Sequence, residues 1–501
     1  MSDLFLGIDC GTQGSKVLIV DRGKRAIVAE AYATHELIED NLGKREQEPR
    51  WWIAAISTAI KSALQGAKLN PKNIRAIGVS GQQHGFVPLD KKGEVIRPAK
   101  LWCDTATAAE AEAMTQRLGG EAKVVDLIGN SIAVGFTASK IEWLKQHEPA
   151  NYERLATLLL PHDYINFWLT GERKTEHGDA SGTAYYDVRQ RKWSKEVLRA
   201  IDASGKLEEC LPELVSAEAP VGKIRADIAQ QFGFDESVLV SSGGGDNMMA
   251  AIGTGNVSAG VVTASLGTSG TIYSFAEMPV VDPQGELAAF CSSDGHWLPL
   301  VCTMNVTVAT ELTRELFNLD IATLNKDVAQ AAVGAEGLLL LPYFNGERTP
   351  PLPHGRATLF GMSSTNYSRA NVCRAAMEGA TFGLRYGLDV LARNGITPGE
   401  IRLVGGGAKS AVWRQMVADV FGCPVVCPVT QEAGALGAAL QALWCYSHAQ
   451  GEKLNLKAIT DEFVSLDSST AAAPQAQNVS AYNEIYARYL KLDEQLRPLF
   501  R

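Results

Sequence analysis

Short apolar runs rich in β-branched residues alternate along the chain with longer segments whose apolar positions recur at helical spacing. Ile74 to Val79 is a run of the first kind, and Trp51 to Leu64, preceded by Pro49, has helical spacing. This alternation predicts an α/β architecture. The segment from Asp467 to Asn478 is rich in Ser, Ala, Gln and Pro and is typical of a connector. The residues after it predict a helix with one packed face: Tyr482, Ile485, Tyr486, Tyr489, Leu492 and Leu496.

One pattern occurs twice: an apolar run, a Gly-Thr-x-Gly loop and a returning strand-like run. The first copy is GIDCGTQGSK, from Gly7 to Lys16, and the second is ASLGTSGTIY, from Ala264 to Tyr273. Such loops leave backbone N–H groups open to an anion. Two copies about half a chain apart predict two similar domains, each presenting a phosphate loop to a shared cleft. The alternative is a pair of unrelated hairpins, in which Asp9 only takes part in the turn.

Neither common nucleotide motif fits these loops. The dinucleotide and Walker-type loops need a helix after their glycines, and no G-x-x-x-x-G-K-[ST] sequence occurs in the chain. A third glycine cluster, Gly405 to Ser410, runs from a strand-like segment into the amphipathic stretch AVWRQMVADVF. It lacks the third glycine of the NAD fingerprint and the acid about 20 residues further on. Adenosine packed against glycine backbone therefore fits better than NAD.

Composition excludes several classes of function. The chain has 501 residues, 46% of them hydrophobic, and a net charge of −9 without long runs of one sign. These values indicate a globular protein of about two to four domains and disfavour a nucleic-acid partner. Nine irregularly spaced cysteines indicate reduced thiols and a cytoplasmic location, and a metal site at Cys423 and Cys427 is the minor alternative to a buried strand. A secretory or membrane-spanning segment is not expected.

Asp246 follows three glycines and opens a helix-like segment, MMAAIG. It is either an ordinary helix cap or a carboxylate that the glycines bring close to a ligand. In the second case it could accept the proton of a substrate hydroxyl that attacks phosphorus, while Asp9 orients Mg²⁺ through water. We place the predicted domain boundary here, giving domains 1–241 and 242–501.

Two longer stretches connect these features to a known family. GFTASKIEWLKQH, from Gly135 to His147, and the pieces between Ala357 and Glu378 resemble the two sequence patterns of the FGGY carbohydrate kinases. Matching pieces extend from Asp9 to about Ala439. The resemblance implies two ribonuclease H-like domains of the actin and hexokinase type, with an interdomain active-site cleft that closes on ATP, Mg²⁺ and a sugar.

The resemblance also assigns roles by position. Asp246 is the expected catalytic base, with Asp9 as its catalytic partner, and both are expected to hold Mg²⁺ through water. The expected ATP-binding residues are Thr12, Gln13, Gly14, Lys16, Gly267, Thr268, Ser269, Gly406, Gly407 and Ala408. The expected sugar-binding residues are Gln82, Gln83, His84, Trp102, Asp104, Asp246 and Asn247.

The acceptor implied by the resemblance is a pentulose, D-xylulose above all, phosphorylated at its 5-hydroxyl. Gln83 and Cys103 stand where the pentulose-phosphorylating members usually have Met and Asn, so ribulose or another ketose stays open. Glycerol is disfavoured, because glycerol kinases carry Arg-Glu where this chain has Gln83-His84. An actin-like ATPase switch is the rival from another class. The oligomeric state stays open and a homodimer is compatible with it; no membrane partner is expected.

Overall fold

The computed structural model describes residues 3–500. The strands are β1 Leu4–Cys10, β2 Gly14–Asp21, β3 Ala26–Thr34, β4 Ile38–Glu39, β5 Arg45–Gln47, β6 Ile74–Gly81, β7 Val87–Leu89, β8 Ala99–Lys100, β9 Thr157–Leu159, β10 Lys174–Glu176, β11 Tyr186–Asp187, β12 Lys192–Trp193, β13 Glu213–Val215, β14 Pro220–Lys223, β15 Leu239–Ser241, β16 Gly244–Gly245, β17 Val261–Ser265, β18 Gly270–Ser274, β19 Ala288–Cys291, β20 Trp297–Thr303, β21 Leu339–Leu341, β22 Thr358–Phe360, β23 Glu400–Val404, β24 Val425–Pro428 and β25 Leu466–Ala472.

The α-helices are α1 Pro49–Gly66, α2 Ala108–Arg117, α3 Glu121–Ile128, α4 Thr137–His147, α5 Pro149–Arg154, α6 Pro161–Thr170, α7 His177–Ala180, α8 Lys195–Ile201, α9 Lys206–Glu209, α10 Ala226–Phe232, α11 Asp246–Gly253, α12 Thr307–Leu316, α13 Ile321–Gln330, α14 Arg369–Arg393, α15 Ala411–Phe421, α16 Ala433–Ala449, α17 Leu456–Phe463 and α18 Ala476–Leu496. Short 3₁₀ turns occupy Pro71–Asn73, Ala335–Gly337, Gly406–Lys409 and Arg497–Leu499.

The chain divides into two compact units. The first comprises the chain up to Ser258 together with Phe275–Leu298 and Glu432–Val464, and the second comprises Ala259–Ser274, Pro299–Gln431 and the chain from Ser465. The boundary that the sequence predicts between residues 241 and 242 falls inside the first unit. Helix α11 follows the predicted boundary and packs against α16. Helix α16 lies late in the chain but belongs to the first unit, so α11 belongs to that unit as well.

A mixed sheet forms the centre of the first unit, with strand order β14-β15-β6-β1-β2-β3. β1 pairs in parallel with β6 and antiparallel with β2. Alternate residues of β1 face opposite layers: Leu6 and Ile8 belong to the apolar cluster that contains Trp52 of α1, whereas Phe5 belongs to the cluster that contains Leu436 of α16. Period-two alternation therefore places Gly7 and Asp9 on the α16 side of the sheet.

Glycines allow the close packing of α16. A Cβ atom at Gly7 of β1 or at Gly78 of β6 would collide with the backbone of α16, at Ala435 and Ala438 respectively. On the opposite side of the helix, a Cβ at Gly437 would collide with the backbone of α11 at Met249. These small residues fix how closely α11, α16 and the sheet approach one another.

The second unit contains a sheet whose strand arrangement resembles that of the first. Six of its strands run β20-β18-β17-β23-β24-β25. β17 pairs antiparallel with β18 and in parallel with β23, β23 pairs in parallel with β24, and β24 pairs antiparallel with β25. The order and the sense of all six strands match β3-β2-β1-β6-β15-β14. The prediction of two similar α/β domains is therefore confirmed.

Most of the predicted elements are present. Both Gly-Thr-x-Gly loops connect antiparallel strands, β1 to β2 and β17 to β18. The predicted packing face of α18 is also confirmed, because Tyr482, Tyr486 and Tyr489 surround the ring of Phe382. The predicted connector from Asp467 to Asn478 is wrong, because β25 and the first turn of α18 occupy this segment. The residues of β25 are small and polar, but pairing with β24 satisfies the backbone hydrogen bonds of the strand.

Two expectations concern cysteines and membrane segments. All nine cysteines are free, and Cys427 lies in β24 as the strand interpretation predicts. In the part of the chain that the structure describes, no helix has both the length and the apolar character needed to cross a membrane.

Candidate active site

The first glycine loop presents Asp9 at the end of β1. The N–H of Gly11 donates to the carbonyl of Gly14 at 3.1 Å and closes the turn. Strand register places Asp9 beside Ser80 of β6, whose Oγ donates to Asp9 Oδ1 at 2.7 Å. Burial raises the pKa of Asp9 above its usual value, although the hydrogen bond from Ser80 opposes that shift.

The N-terminus of α16 lies against the same carboxylate. A Cβ added to Gly434 would lie 2.9–3.0 Å from the carboxyl atoms of Asp9, so only glycine leaves room there. Glu432, just before the helix, forms an ion pair with Lys16. Asp9, Thr12, Lys16 and Glu432 line a cavity of about 1090 Å³ in the first unit. This volume is slightly above the usual range for small-molecule sites.

Asp246 opens α11 and has a strongly perturbed carboxyl group. The residue before it, Gly245, occupies the N-cap position, so Asp246 is the first residue of the helix and not its cap. Burial raises its pKa to about 7, and the negative charges of Asp9 and Asp179 add to that effect. A carboxyl group with a pKa near neutral suits a general base.

A chain of hydrogen bonds joins Asp246 to the predicted sugar segment. The backbone N–H and side-chain amide of Asn247 donate to Asp246 Oδ1 at 2.8 and 3.0 Å. The same amide lies 2.7 Å from Oε1 of Gln83, while the amide nitrogen of Gln83 lies 3.1 Å from the sulfur of Met248. Gln83 thus orients Asn247.

His84 is held by a buried acid that a second histidine also contacts. Its backbone is left-handed, with φ of 60°, and its N–H donates to Asp179 Oδ1 at 3.2 Å. Asp179 also lies 3.3 Å from the His84 ring nitrogen Nδ1 and 2.9 Å from Nδ1 of His162. Burial alone would raise the pKa of Asp179, but the hydrogen bonds of His162 and His84 outweigh it and hold the pKa at about 2. The carboxylate stays ionised and fixes the imidazole of His84.

Gln82 and Trp102 contact the first phosphate loop through Thr12. Trp102 Nε1 donates to Thr12 Oγ1 at 3.1 Å, and Thr12 Oγ1 donates to Gln82 Oε1 at 3.2 Å. Gln47, which the sequence analysis did not single out, bonds both Gln82 and Thr12. Its amide nitrogen also lies 3.1 Å from Nδ1 of His35, whose pKa burial lowers to about 4.

Asp104 is fully buried, and its carboxylate is bound by β5, by β8 and by its own loop. Its Oδ2 accepts from the backbone N–H of Arg45 at 2.9 Å and from Lys100 at 3.2 Å, and its Oδ1 accepts from Ala106 at 3.1 Å. Both oxygens therefore hold the loop that carries Trp102. A direct contact with sugar stays a prediction for this residue.

The predicted nucleotide segments of the second unit adjoin each other. Gly267 and Thr268 lie between β17 and β18, and their carbonyls accept from backbone N–H groups at the start of α12. The N–H of Gly407 donates to the carbonyl of Leu266 at 3.0 Å, which joins the third glycine cluster to this loop. A Cβ at Gly406 would meet nothing within 4 Å, so its backbone faces open space.

The donor set fits Mg²⁺ of the kind that phosphoryl transfer uses. The charge of Asp9 disfavours the charged form of Asp246, a repulsion that a bound divalent cation would relieve. Among residues 3–500, no group of three or more His, Cys, Asp or Glu side chains is arranged to hold a metal ion. A cation here would therefore take one or two carboxylates and complete its shell with water and phosphate.

The structure brings several of the predicted first-unit residues into hydrogen-bond contact with one another, but sequence reasoning missed the residues that support them. Ser80 and Asp179 reach the site only through strand register and helix packing, and no local motif marks them. Gly434 is likewise unmarked by any local motif, and the structure places it against Asp9.

Comparison with known proteins identifies the family. The N-terminal domain model of the FGGY family of carbohydrate kinases matches residues 4–253, and the C-terminal domain model matches residues 262–446. The xylulose kinase of Haemophilus influenzae is 47% identical over 97% of this chain and 99% of that protein, and the xylulose kinase of Escherichia coli is 32% identical over 99% and 100%. The crystal structure of a xylulose kinase from Bifidobacterium adolescentis superposes with a TM-score of 0.84 at 32% identity, covering 96% of this chain and 99% of that one. The chain belongs to the FGGY family of carbohydrate kinases.

Proposed function

We propose that this chain transfers the γ-phosphate of ATP to the 5-hydroxyl of D-xylulose, giving D-xylulose 5-phosphate and ADP. The observation that carries the proposal is the 47% identity with a xylulose kinase over nearly the whole of both chains. The site of the first unit supports it, because a carboxyl group with a pKa near 7 is hydrogen-bonded to amides suited to hydroxyl groups.

Asp246 is the base in this proposal. As the 5-hydroxyl oxygen attacks the γ-phosphorus, the new P–O bond forms, the bond to the leaving ADP oxygen breaks, and the hydroxyl proton passes to the carboxylate of Asp246. Asn247 orients that carboxylate through its two hydrogen bonds. The raised pKa of Asp246 keeps the carboxylate basic enough to accept a proton near neutral pH.

The sugar segment positions the acceptor. His84 is held by the ionised Asp179, and Gln83 is held by Asn247, so both side chains are oriented before the sugar arrives. Preorganised polar groups lose little entropy on binding and reject ligands that leave them unpaired. We assign Gln82, Gln83, His84, Trp102 and Asn247 to sugar binding.

The nucleotide is assigned to the glycine loops. Backbone N–H groups of Thr12, Gln13 and Gly14, with the ammonium of Lys16, would contact phosphate, as would those of Gly267, Thr268 and Ser269. Gly406, Gly407 and Ala408 would pack against adenosine. Asp9, with Asp246, would hold Mg²⁺ through water, and the ion would neutralise charge on the phosphates.

A coupled assay of ADP release tests the proposal. With MgATP and D-xylulose we expect one ADP per sugar consumed, and phosphorus–carbon NMR coupling should place the phosphate on carbon 5. ATP hydrolysis without sugar should be far slower, because water is a poor substitute for an oriented hydroxyl. Equal ADP release with and without sugar would instead support an ATPase switch.

We also propose a cytoplasmic location, which the nine free cysteines support because such thiols are typical of reducing compartments. A homodimer is a further prediction, to be tested by sedimentation equilibrium of the purified chain.

A further inference from the structure

Gln47 is a buried glutamine whose side-chain donors and acceptors are all engaged in hydrogen bonds. It ends strand β5 and has no exposed surface. Its amide nitrogen donates to the backbone carbonyls of Thr12 and Glu36 at 2.7 and 2.8 Å, and its oxygen accepts from Trp52 Nε1 and Gln82 Nε2, both at 2.9 Å. A carboxamide offers two donors and two acceptor lone pairs, so these four bonds use all of its capacity, and His35 Nδ1, 3.1 Å from the amide nitrogen, can only share one of its two N–H groups. Neither a carboxylate nor an alcohol could replace that set.

Three of these groups form a closed ring. Gln47 donates to the carbonyl of Thr12, the hydroxyl of Thr12 donates to the Gln82 oxygen at 3.2 Å, and the Gln82 nitrogen donates back to the Gln47 oxygen. Each residue donates to the next, so the bonds run in one direction around the ring. The ring holds both the backbone and the side chain of Thr12, because the residue accepts at its carbonyl and donates from its hydroxyl.

The ring joins two segments with different assignments. Thr12 belongs to the first phosphate loop, whereas Gln82 belongs to the sugar segment. The backbone N–H of Gln82 also donates to the carbonyl of Cys10 at 2.9 Å, and Trp102 Nε1 donates to the hydroxyl of Thr12 at 3.1 Å. Moving Gln82 would break its bonds with Cys10, just before the phosphate loop, and with Thr12 within it, and would leave buried polar groups unpaired.

We propose that Gln47 is a positioning residue that couples sugar binding to nucleotide binding. A sugar that orders Gln82 orders the backbone of Thr12 through Gln47, and phosphate bound at Thr12 orders Gln82 in return. Thermodynamic linkage makes the two effects equal. The inference rests on the proposed function, because it needs sugar and nucleotide to bind the same chain.

Calorimetry on the full chain measures this coupling. The dissociation constant of a non-hydrolysable ATP analogue with Mg²⁺ is determined with and without saturating D-xylulose, and the ratio is the coupling factor. For the natural chain we expect a factor of about 5 to 150, the usual range for coupled sites. Gln47→Met keeps most of the side-chain volume but removes every hydrogen bond, and should bring the factor close to 1.

Trp52→Phe is the matched control. It removes one donor to Gln47 and loosens the same core, but it leaves the ring with Thr12 and Gln82 in place. Its thermal stability should fall while its coupling factor stays near the natural value. If the role of Gln47 were purely structural, the coupling factors of Gln47→Met and Trp52→Phe would fall alike, and that result would overturn the proposal.

Hydrogen exchange keeps the proposal testable if Gln47→Met does not fold. In the natural chain, D-xylulose alone should slow amide exchange at Gln13 and Gly14, next to Thr12. Unchanged exchange there, or a natural coupling factor of 1, would contradict the coupling alone. Failure of D-xylulose to bind at all would contradict the proposed function as well.

Discussion

The surroundings of Asp246 decide whether it can act as a base. Burial and the charges of Asp9 and Asp179 raise its pKa to about 7, while the hydrogen bonds of Asn247 act in the opposite direction. An ordinary aspartate, with a pKa near 4, would be a much weaker base. The cluster of three acids thus prepares one of them to take a proton at neutral pH.

We predict that Asp246→Asn lowers kcat by about 10²- to 10⁴-fold, the usual effect of removing a positioned base. Asparagine keeps the shape of the side chain, so the dissociation constants of sugar and nucleotide should change little. Asp235→Asn, at an exposed turn of the same unit, is the control and should keep full activity. Near-normal turnover of folded Asp246→Asn would refute the assignment.

The pH profile should report the same group. A base works only when ionised, so kcat/KM should rise with pH through about 7 and fall about tenfold per pH unit below it. Asp9→Asn removes a charge that raises the pKa of Asp246, so this acid limb should move to lower pH even though the variant is slower. The check is steady-state kinetics from pH 5.5 to 9 at constant ionic strength. A flat profile for the natural chain would contradict the account.

Helix α16 contacts both the candidate active site and the packed core of the first unit. Gly434, in its first turn, leaves room for the carboxylate of Asp9, whereas Gly437, one turn later, leaves room for the backbone of α11 at Met249. Small residues at these two positions therefore have different functions, although both look alike in the sequence.

Alanine at these two glycines should separate activity from stability. Gly434→Ala should displace the Asp9 side chain, slowing phosphoryl transfer and raising the Mg²⁺ concentration needed for half-maximal rate. Gly437→Ala should push α11 away and cost about 1–3 kcal/mol of unfolding free energy, as overpacked cores do. Thermal melts and Mg²⁺ titrations of both variants test this. Equal effects of the two changes on Mg²⁺ dependence would exclude a role for Gly434 at Asp9.

The elements found by sequence reasoning were those with strong local signals. The loop from Gly11 to Gly14 lies between apolar runs, and helix α15 follows its amphipathic pattern from Ala411 to Phe421. β25 could not be found in this way, because its residues are small and polar and its pairing with β24 supplies the stabilisation. Gln47 escaped for a similar reason: its partners lie in segments distant along the chain.

At the scale of the whole molecule, the same spatial order and direction of six strands occurs twice, and each copy carries a glycine loop between its first antiparallel pair of strands. The copies differ in what surrounds the loop. The first has acids and amides around it, whereas the second has a further glycine cluster beside it. This difference favours sugar and proton transfer in the first unit and adenosine in the second.

The central claim is the identity of the acceptor, and a panel of acceptors tests it most directly. The values of kcat/KM are measured at saturating MgATP for D-xylulose, D-ribulose, gluconate and glycerol. Loss of a hydroxyl that the site hydrogen-bonds can cost up to about 10⁴- to 10⁵-fold, and a change of epimer should cost less. We predict that D-xylulose ranks first, D-ribulose lower and glycerol last. Glycerol or gluconate above both pentuloses would contradict the assignment of the sugar, even if the chain proved to be a kinase.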